Sequence, residues 1–117
     1  MTLRSATPVL RVSDYPAARD FYAQLGFEVQ EEGGDPPRFG ILKCGDAVIY
    51  LDAWDGADKV PSTRWSAYFH SGDLNAVVDK LNSSGIAFEG PVSTVYGMRE
   101  ITVTDPDGNR LCFGQDA

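Results

Sequence analysis

The sequence predicts an α+β fold built from two βαβββ modules in tandem. Three observations predict it: an amphipathic helix pattern occurs twice, the two copies are offset by about half of the 117-residue chain, and three strand-like segments follow each copy. A ferredoxin-like domain would also alternate helices and strands. The equal spacing within the two copies, and the three strands after each helix, favour the tandem repeat instead.

The first module opens with alternating residues at 9–14, as expected for a strand. Asp14 can then cap a helix, and Pro16 is tolerated in the first helical turn. Gly26 stands where the helix should end with a positive φ, and a second strand begins around Phe27. Between these ends, four apolar residues share one helix face: Ala18, Phe21, Tyr22 and Leu25.

The second module repeats this pattern. Ala67 and Phe69 belong to a strand pattern, Asp73 is the candidate helix cap, and Gly85 is the candidate helix end. A strand is expected to open over 86–88. The apolar helix face again has four residues at the same spacing: Leu74, Val77, Val78 and Leu81.

Two further strands close each module around a tight turn. In the first module the turn is Gly45-Asp46, and in the second it is the DPDGN segment at 105–109. The polar stretch 55–63 is interpreted as a linker between module 1 (about 1–54) and module 2 (about 64–117), within a single domain over 1–117. The closing strands are predicted at 39–44, 47–54, 100–104 and 110–114.

Composition excludes several classes of function. The chain has 10 Lys and Arg against 17 Asp and Glu, a net charge of −7, so its surface repels nucleic acid and anionic membranes and favours a cationic ligand. The alternative is that this acidity serves only solubility. It has no apolar run long enough for a membrane span and no signal-peptide pattern, which predicts a cytoplasmic protein. Cys44 and Cys112 are expected to be free, buried thiols.

Two segments resemble the vicinal-oxygen-chelate proteins, which include glyoxalase I, the extradiol dioxygenases and the bleomycin-resistance proteins. They are DYPAARDFYAQLGF at 14–27 and GMREITVTDPDGNRLCFGQ at 97–115. The resemblance implies a curved mixed sheet around a cleft. Residues 7–10 and 95–100 are similar to segments of the bleomycin-resistance proteins, which implies a homodimer that exchanges its N-terminal arm, with Pro8 near the hinge. Those proteins commonly have Trp where this chain has Tyr96.

The resemblance also implies where a divalent metal would be held in the catalytic members of the superfamily. Three of the four matching positions carry hydroxyl groups, which are poor ligands for a Lewis-acidic ion, and the one cysteine does not make a site by itself. No metal and no other cofactor is therefore expected. His70, the single histidine, is interpreted as a hydrogen-bonded strand residue. Asp52 and Glu100 would become candidate metal carboxylates if the strand register were shifted by two. The four implied metal positions are Thr7, Tyr50, Ser66 and Cys112.

Two functions follow from these observations. The favoured one is a metal-free binding protein that sequesters a planar or cationic small molecule, such as a bleomycin-type antibiotic, and so confers resistance without catalysis. The alternative is a metal-dependent glyoxalase-type lyase or dioxygenase. No catalytic residues are predicted, and the expected partners are the small molecule and a second copy of the chain. The predicted ligand-binding residues are Phe39, Tyr50, Asp52, Trp54, Tyr68, Tyr96 and Phe113.

Overall fold

A computed structural model describes residues 1–53 and 63–116, and the two βαβββ modules follow one another along the chain. The first module consists of β1 (Val9–Val12), α1 (Tyr15–Gln24), β2 (Glu28–Gly33), β3 (Phe39–Cys44) and β4 (Ala47–Ala53). The second consists of β5 (Ala67–His70), α2 (Leu74–Ser83), β6 (Glu89–Ser93), β7 (Met98–Thr104) and β8 (Arg110–Asp116). Trp54 and all of the predicted linker except residue 63 lie outside the described residues.

Each module forms its own four-stranded mixed sheet. The strand order is β1-β4-β3-β2 in sheet 1 and β5-β8-β7-β6 in sheet 2. In both sheets the first strand of the module is parallel to the last, and the other pairs are antiparallel. The predicted α+β fold with tandem modules is therefore confirmed.

The helices begin and end at the predicted residues. The Asp14 side chain accepts a hydrogen bond from the backbone N–H of Ala17, and Asp73 does the same for Ala76, both at 3.2 Å. Gly26 and Gly85 have φ values of 102° and 69°, a region that glycine enters without steric cost. No helix within residues 1–53 and 63–116 is long and apolar enough to cross a membrane.

The core lies between each helix and its sheet. Two sequence expectations need correction: Cys44 is exposed at the end of β3, although Cys112 is buried, and β6 begins at Glu89 rather than over 86–88. Ile86 and Phe88 pack against the core before the strand starts. The largest fully buried side chains, which fill the core, are Tyr15, Tyr22, Leu10, Leu42, Ile49, Leu51, Leu74, Leu81, Ile101, Leu111, Val12 and Val103.

The turn between β7 and β8 joins the two modules. The hydroxyl of Tyr22 on α1 donates to Oδ2 of Asp105 at 2.7 Å, and Asp105 is only 4% exposed. The same carboxylate accepts from the backbone N–H groups of Asp107 and Asn109 at 2.9 and 2.8 Å. Asp107 in turn accepts from the N–H and the hydroxyl of Ser13. These bonds fix the first module to the closing turn of the second.

Replacing Tyr22 by Phe should lower the free energy of unfolding by about 1.5–3 kcal/mol, because a buried carboxylate loses one donor. Tyr15→Phe is the matched control, since the Tyr15 hydroxyl donates to the half-exposed Glu32, and it should lower stability by less. Urea denaturation measures the free energy of unfolding of the wild type and both variants. Equal losses in the two variants would show that the bond to Asp105 does not secure the junction.

Candidate functional site

The side of each sheet that faces away from its helix carries most of the predicted ligand-binding residues. In β4, Tyr50 and Asp52 alternate with the buried Ile49 and Leu51, so they lie on the opposite side from the core. In β8, Cys112 alternates with core residues in the same way. We call these sides the open face of sheet 1 and the open face of sheet 2.

The open face of sheet 1 presents an aromatic pair beside a carboxylate. The rings of Phe39 and Tyr50 lie edge to face, with centroids 5.4 Å apart. Asp52 is opposite Phe39 on β3 and opposite Arg11 on β1. The structure thus brings together three of the predicted residues. The basic Arg11 beside Asp52 offsets part of the charge that a ligand would meet.

The open face of sheet 2 is organised around Glu100. The hydroxyls of Tyr68 and Tyr96 both donate to Oε2 of Glu100, at 2.9 and 2.7 Å. Glu100 is 5% exposed, whereas Tyr96 is 59% exposed. Burial and the hydrogen bond to Glu100 raise the pKa of Tyr68, and the same hydrogen bond raises the pKa of Tyr96. Both tyrosines therefore remain donors at neutral pH, and they fix the carboxylate in place.

A glycine makes this arrangement possible. Gly114 on β8 is opposite Glu100 on β7, and a Cβ atom at this position would overlap the Tyr68 hydroxyl. Tyr68 consequently lies across β8 and reaches Glu100. Its ring also contacts Trp65 and His70, with centroid distances of 5.1 Å in both cases. The result is a row of three rings along the edge of sheet 2, next to a buried carboxylate.

The residues at the four implied metal positions do not fit a divalent ion. Thr7, Tyr50 and Ser66 offer hydroxyls, and the Ser66 hydroxyl already accepts from the N–H of Arg110. Burial, followed by the charge of Glu100, raises the pKa of the Cys112 thiol to about 11, so it stays protonated at neutral pH. Within the described residues, no three His, Cys, Asp or Glu side chains are placed to hold a metal ion.

The remaining predicted residues are distributed as follows. Phe113 does not join Tyr68 and Tyr96, because it packs on the core side of sheet 2 against Phe69, with ring centroids 5.0 Å apart. His70 is a strand residue, as expected; it ends β5, and it is exposed. Sequence reasoning missed the role of Glu100, which it considered only as a metal ligand. The available signal was an acidic residue in a strand pattern whose alternate positions are the apolar Ile101 and Val103.

The chain is similar to a known protein family and to several solved structures. Residues 4–113 match the family described as the Glyoxalase/Bleomycin resistance protein/Dioxygenase superfamily. A bleomycin-binding protein solved in complex with bleomycin is 26% identical, with a TM-score of 0.84 over 98% of this chain and 100% of that chain. No curated protein sequence matches the chain significantly.

Two further solved structures are similar over nearly the whole chain. A bleomycin resistance determinant encoded on the transposon Tn5 is 25% identical, with a TM-score of 0.84 over 97% of this chain and 98% of that one. TnmS3, an antibiotic binding protein from Streptomyces sp. CB03234, is 25% identical, with a TM-score of 0.76 and complete coverage of both chains.

The two cysteines should differ sharply in reactivity. Cys44 is exposed, whereas Cys112 is fully buried and has a raised pKa. Titration of the native protein with a thiol reagent near pH 8 should therefore modify one thiol quickly, and unfolding in denaturant should release the second. Cys44→Ser is the control that should remove the fast phase. Rapid modification of Cys112 in the folded protein would contradict the environment described for it.

Proposed function

The chain belongs to the Glyoxalase/Bleomycin resistance protein/Dioxygenase superfamily, and we propose that it is a binding protein that sequesters a planar, cationic small molecule such as a bleomycin-type antibiotic. Binding alone would remove the toxic compound, with no bond broken and no metal required. The proposal includes a cytoplasmic location. The observation that carries it is the Glu100 carboxylate, held by two tyrosine hydroxyls on an open aromatic face.

The charge of the site supports a cationic ligand. Glu100 lies where few solvent molecules screen it, so its attraction for a cation is stronger than that of an exposed carboxylate. The rings of Trp65, Tyr68 and Tyr96 add a second attraction, because the face of an aromatic ring favours a positive charge. The net charge of −7 draws a cation toward the protein over longer distances.

The exposed rings support a planar ligand. Tyr96 and Trp65 are 59% and 48% exposed, and an aromatic group stacked on either would bury apolar area that now faces water. Phe39 offers a third ring on the open face of sheet 1. Two similar structures support a ligand of this class: the bleomycin-binding protein in complex with bleomycin, and the antibiotic binding protein TnmS3.

We include a homodimer in the proposal. The contacts that join the modules within one chain are on the helix sides, such as Tyr22 with Asp105 and Phe27 with Phe69. Both open faces are left partly exposed, so in a dimer the open face of sheet 1 in one protomer can cover that of sheet 2 in the other. Met1 and Leu3 are also exposed in the N-terminal arm, which precedes the edge strand β1.

Glu100→Gln should weaken the binding of bleomycin about tenfold, because the cation loses a charged partner and gains only a neutral amide. The variant should also flatten the dependence of affinity on salt, since salt screens the charged pair. Asp79→Asn, on the exposed surface of α2, is the matched control and should bind like the wild type. Asp52→Asn should have an intermediate effect because Arg11 neighbours it. Isothermal titration calorimetry at several salt concentrations measures the affinity of the wild type and the three variants for bleomycin.

Variants of Tyr96 separate stacking from hydrogen bonding. Tyr96→Ala should weaken binding more than Tyr96→Phe, since only the first removes the ring, and Tyr96→Trp should tighten the binding of a bithiazole-containing drug. Thermal unfolding of each variant checks that the fold is retained. If the wild-type protein gives no heat with bleomycin-type drugs, the resistance function is wrong. If the affinity and the stability of the variants fall together, these residues are structural.

Deleting residues 1–7 should weaken self-association, because it removes the exposed apolar side chains of the arm. Sedimentation velocity over a range of protein concentrations measures the change. The single substitution Leu3→Ser is a milder comparison that leaves the chain length intact and should shift the equilibrium in the same direction. A wild-type protein that stays monomeric at micromolar concentration would contradict the dimer.

A further inference from the structure

A separate pocket lies between the two modules, on the core side of sheet 2. Its volume is about 250 Å³. The end of α1 and the β3–β4 turn border it on one side, and α2 with the ends of β5 and β8 borders it on the other. Phe69 and Phe113 line it, and both alternate along their strands with residues of the open face. The pocket and the open face of sheet 2 are thus on opposite sides of the same strands.

The floor of the pocket is aromatic. Phe69 and Phe113 are stacked at 5.0 Å, and Phe27 meets Phe69 edge to face at 5.8 Å. Leu25 and Leu81 complete the apolar lining. A cavity of about 150 Å³ lined by such side chains can hold benzene. The volume here therefore accommodates one aromatic ring with a short substituent.

The rim of the pocket has the opposite charge to the protein as a whole. Its ionisable residues are Lys80, His70 and Cys44, and no Asp or Glu is among the described residues that line it. Lys80 forms no ion pair with any residue in the described parts of the chain. In a chain with 17 acidic and 10 basic residues, an acid-free rim with an available ammonium group selects for an anion.

We propose that this pocket binds a small aromatic carboxylate, with its ring against Phe27, Phe69 and Phe113 and its carboxylate at Lys80. This site is independent of the proposed sequestering function, because it uses neither open face. A ligand of this size binds with about millimolar affinity. The pocket exists only in the folded chain, so the bound ligand also stabilises the fold by mass action.

Phenylacetate is a suitable probe, and Cys44 on the rim is a built-in reporter. Bound phenylacetate should slow the alkylation of Cys44 by iodoacetamide, a neutral reagent, in a saturable manner. Phenylacetamide has the same ring without the charge, and it should need about two to five times the concentration for the same protection, as expected for one exposed ion pair. The fully buried Cys112 does not interfere.

Two variants and one control complete the test. Lys80→Met should abolish the difference between phenylacetate and phenylacetamide, and Ala76→Trp, on the exposed side of α2, should fill the pocket and abolish protection by both. Lys43→Met removes a lysine that does not line the pocket, and it should keep the wild-type difference between phenylacetate and phenylacetamide. The proposal is overturned if phenylacetate leaves the alkylation rate unchanged, if it protects Ala76→Trp equally well, or if the neutral amide protects the wild type equally well.

Discussion

A single buried carboxylate, that of Asp105, determines how the two modules are joined. Removing a charge from water is costly unless donors replace the lost solvation. Here the turn itself supplies the N–H groups of Asp107 and Asn109 and the Asn109 side chain, and α1 supplies the Tyr22 hydroxyl. Because the last donor comes from the other module, α1 cannot move away without leaving the charge short of a partner. The ends of β7 and β8 that flank this turn are held in place by the same bonds.

The position of the turn has consequences at the other end of the same two strands. Glu100 and Gly114 are opposite one another near that end. The β7–β8 hairpin, whose turn begins at Asp105, therefore also sets the positions of the Glu100 carboxylate and of Gly114, over which Tyr68 lies. At the site where metalloenzymes of this superfamily would need several strong donors, the chain has a protonated thiol and a carboxylate bound to two tyrosines. A carboxylate held in this way by two hydroxyl donors supports the proposal of a cationic ligand.

Much of the fold could be predicted because its signals are local. The caps Asp14 and Asp73 act three residues away, and strand alternation assigns Tyr50, Asp52 and Tyr68 to their faces. The sequence could not reveal contacts between distant residues, such as Tyr22 with Asp105 or Tyr68 with Glu100, because these depend on how the elements pack. Phe113 illustrates the difference. Its aromatic character suggested the ligand site, but it follows Cys112 in the strand and therefore points to the core.

Strands β5 and β8 separate two environments of opposite character. On one side, Tyr68 contacts a buried carboxylate, and on the other, Phe69 and Phe113 form the floor of a pocket whose rim carries Lys80. Alternation makes this possible, since neighbouring residues of one strand point to opposite sides and each side can have its own chemistry. It also ties the two sides together mechanically. A backbone shift in β8 that admits a larger group beside Cys112 must move Phe113 as well, because both belong to one extended segment with little freedom in a closely packed interior.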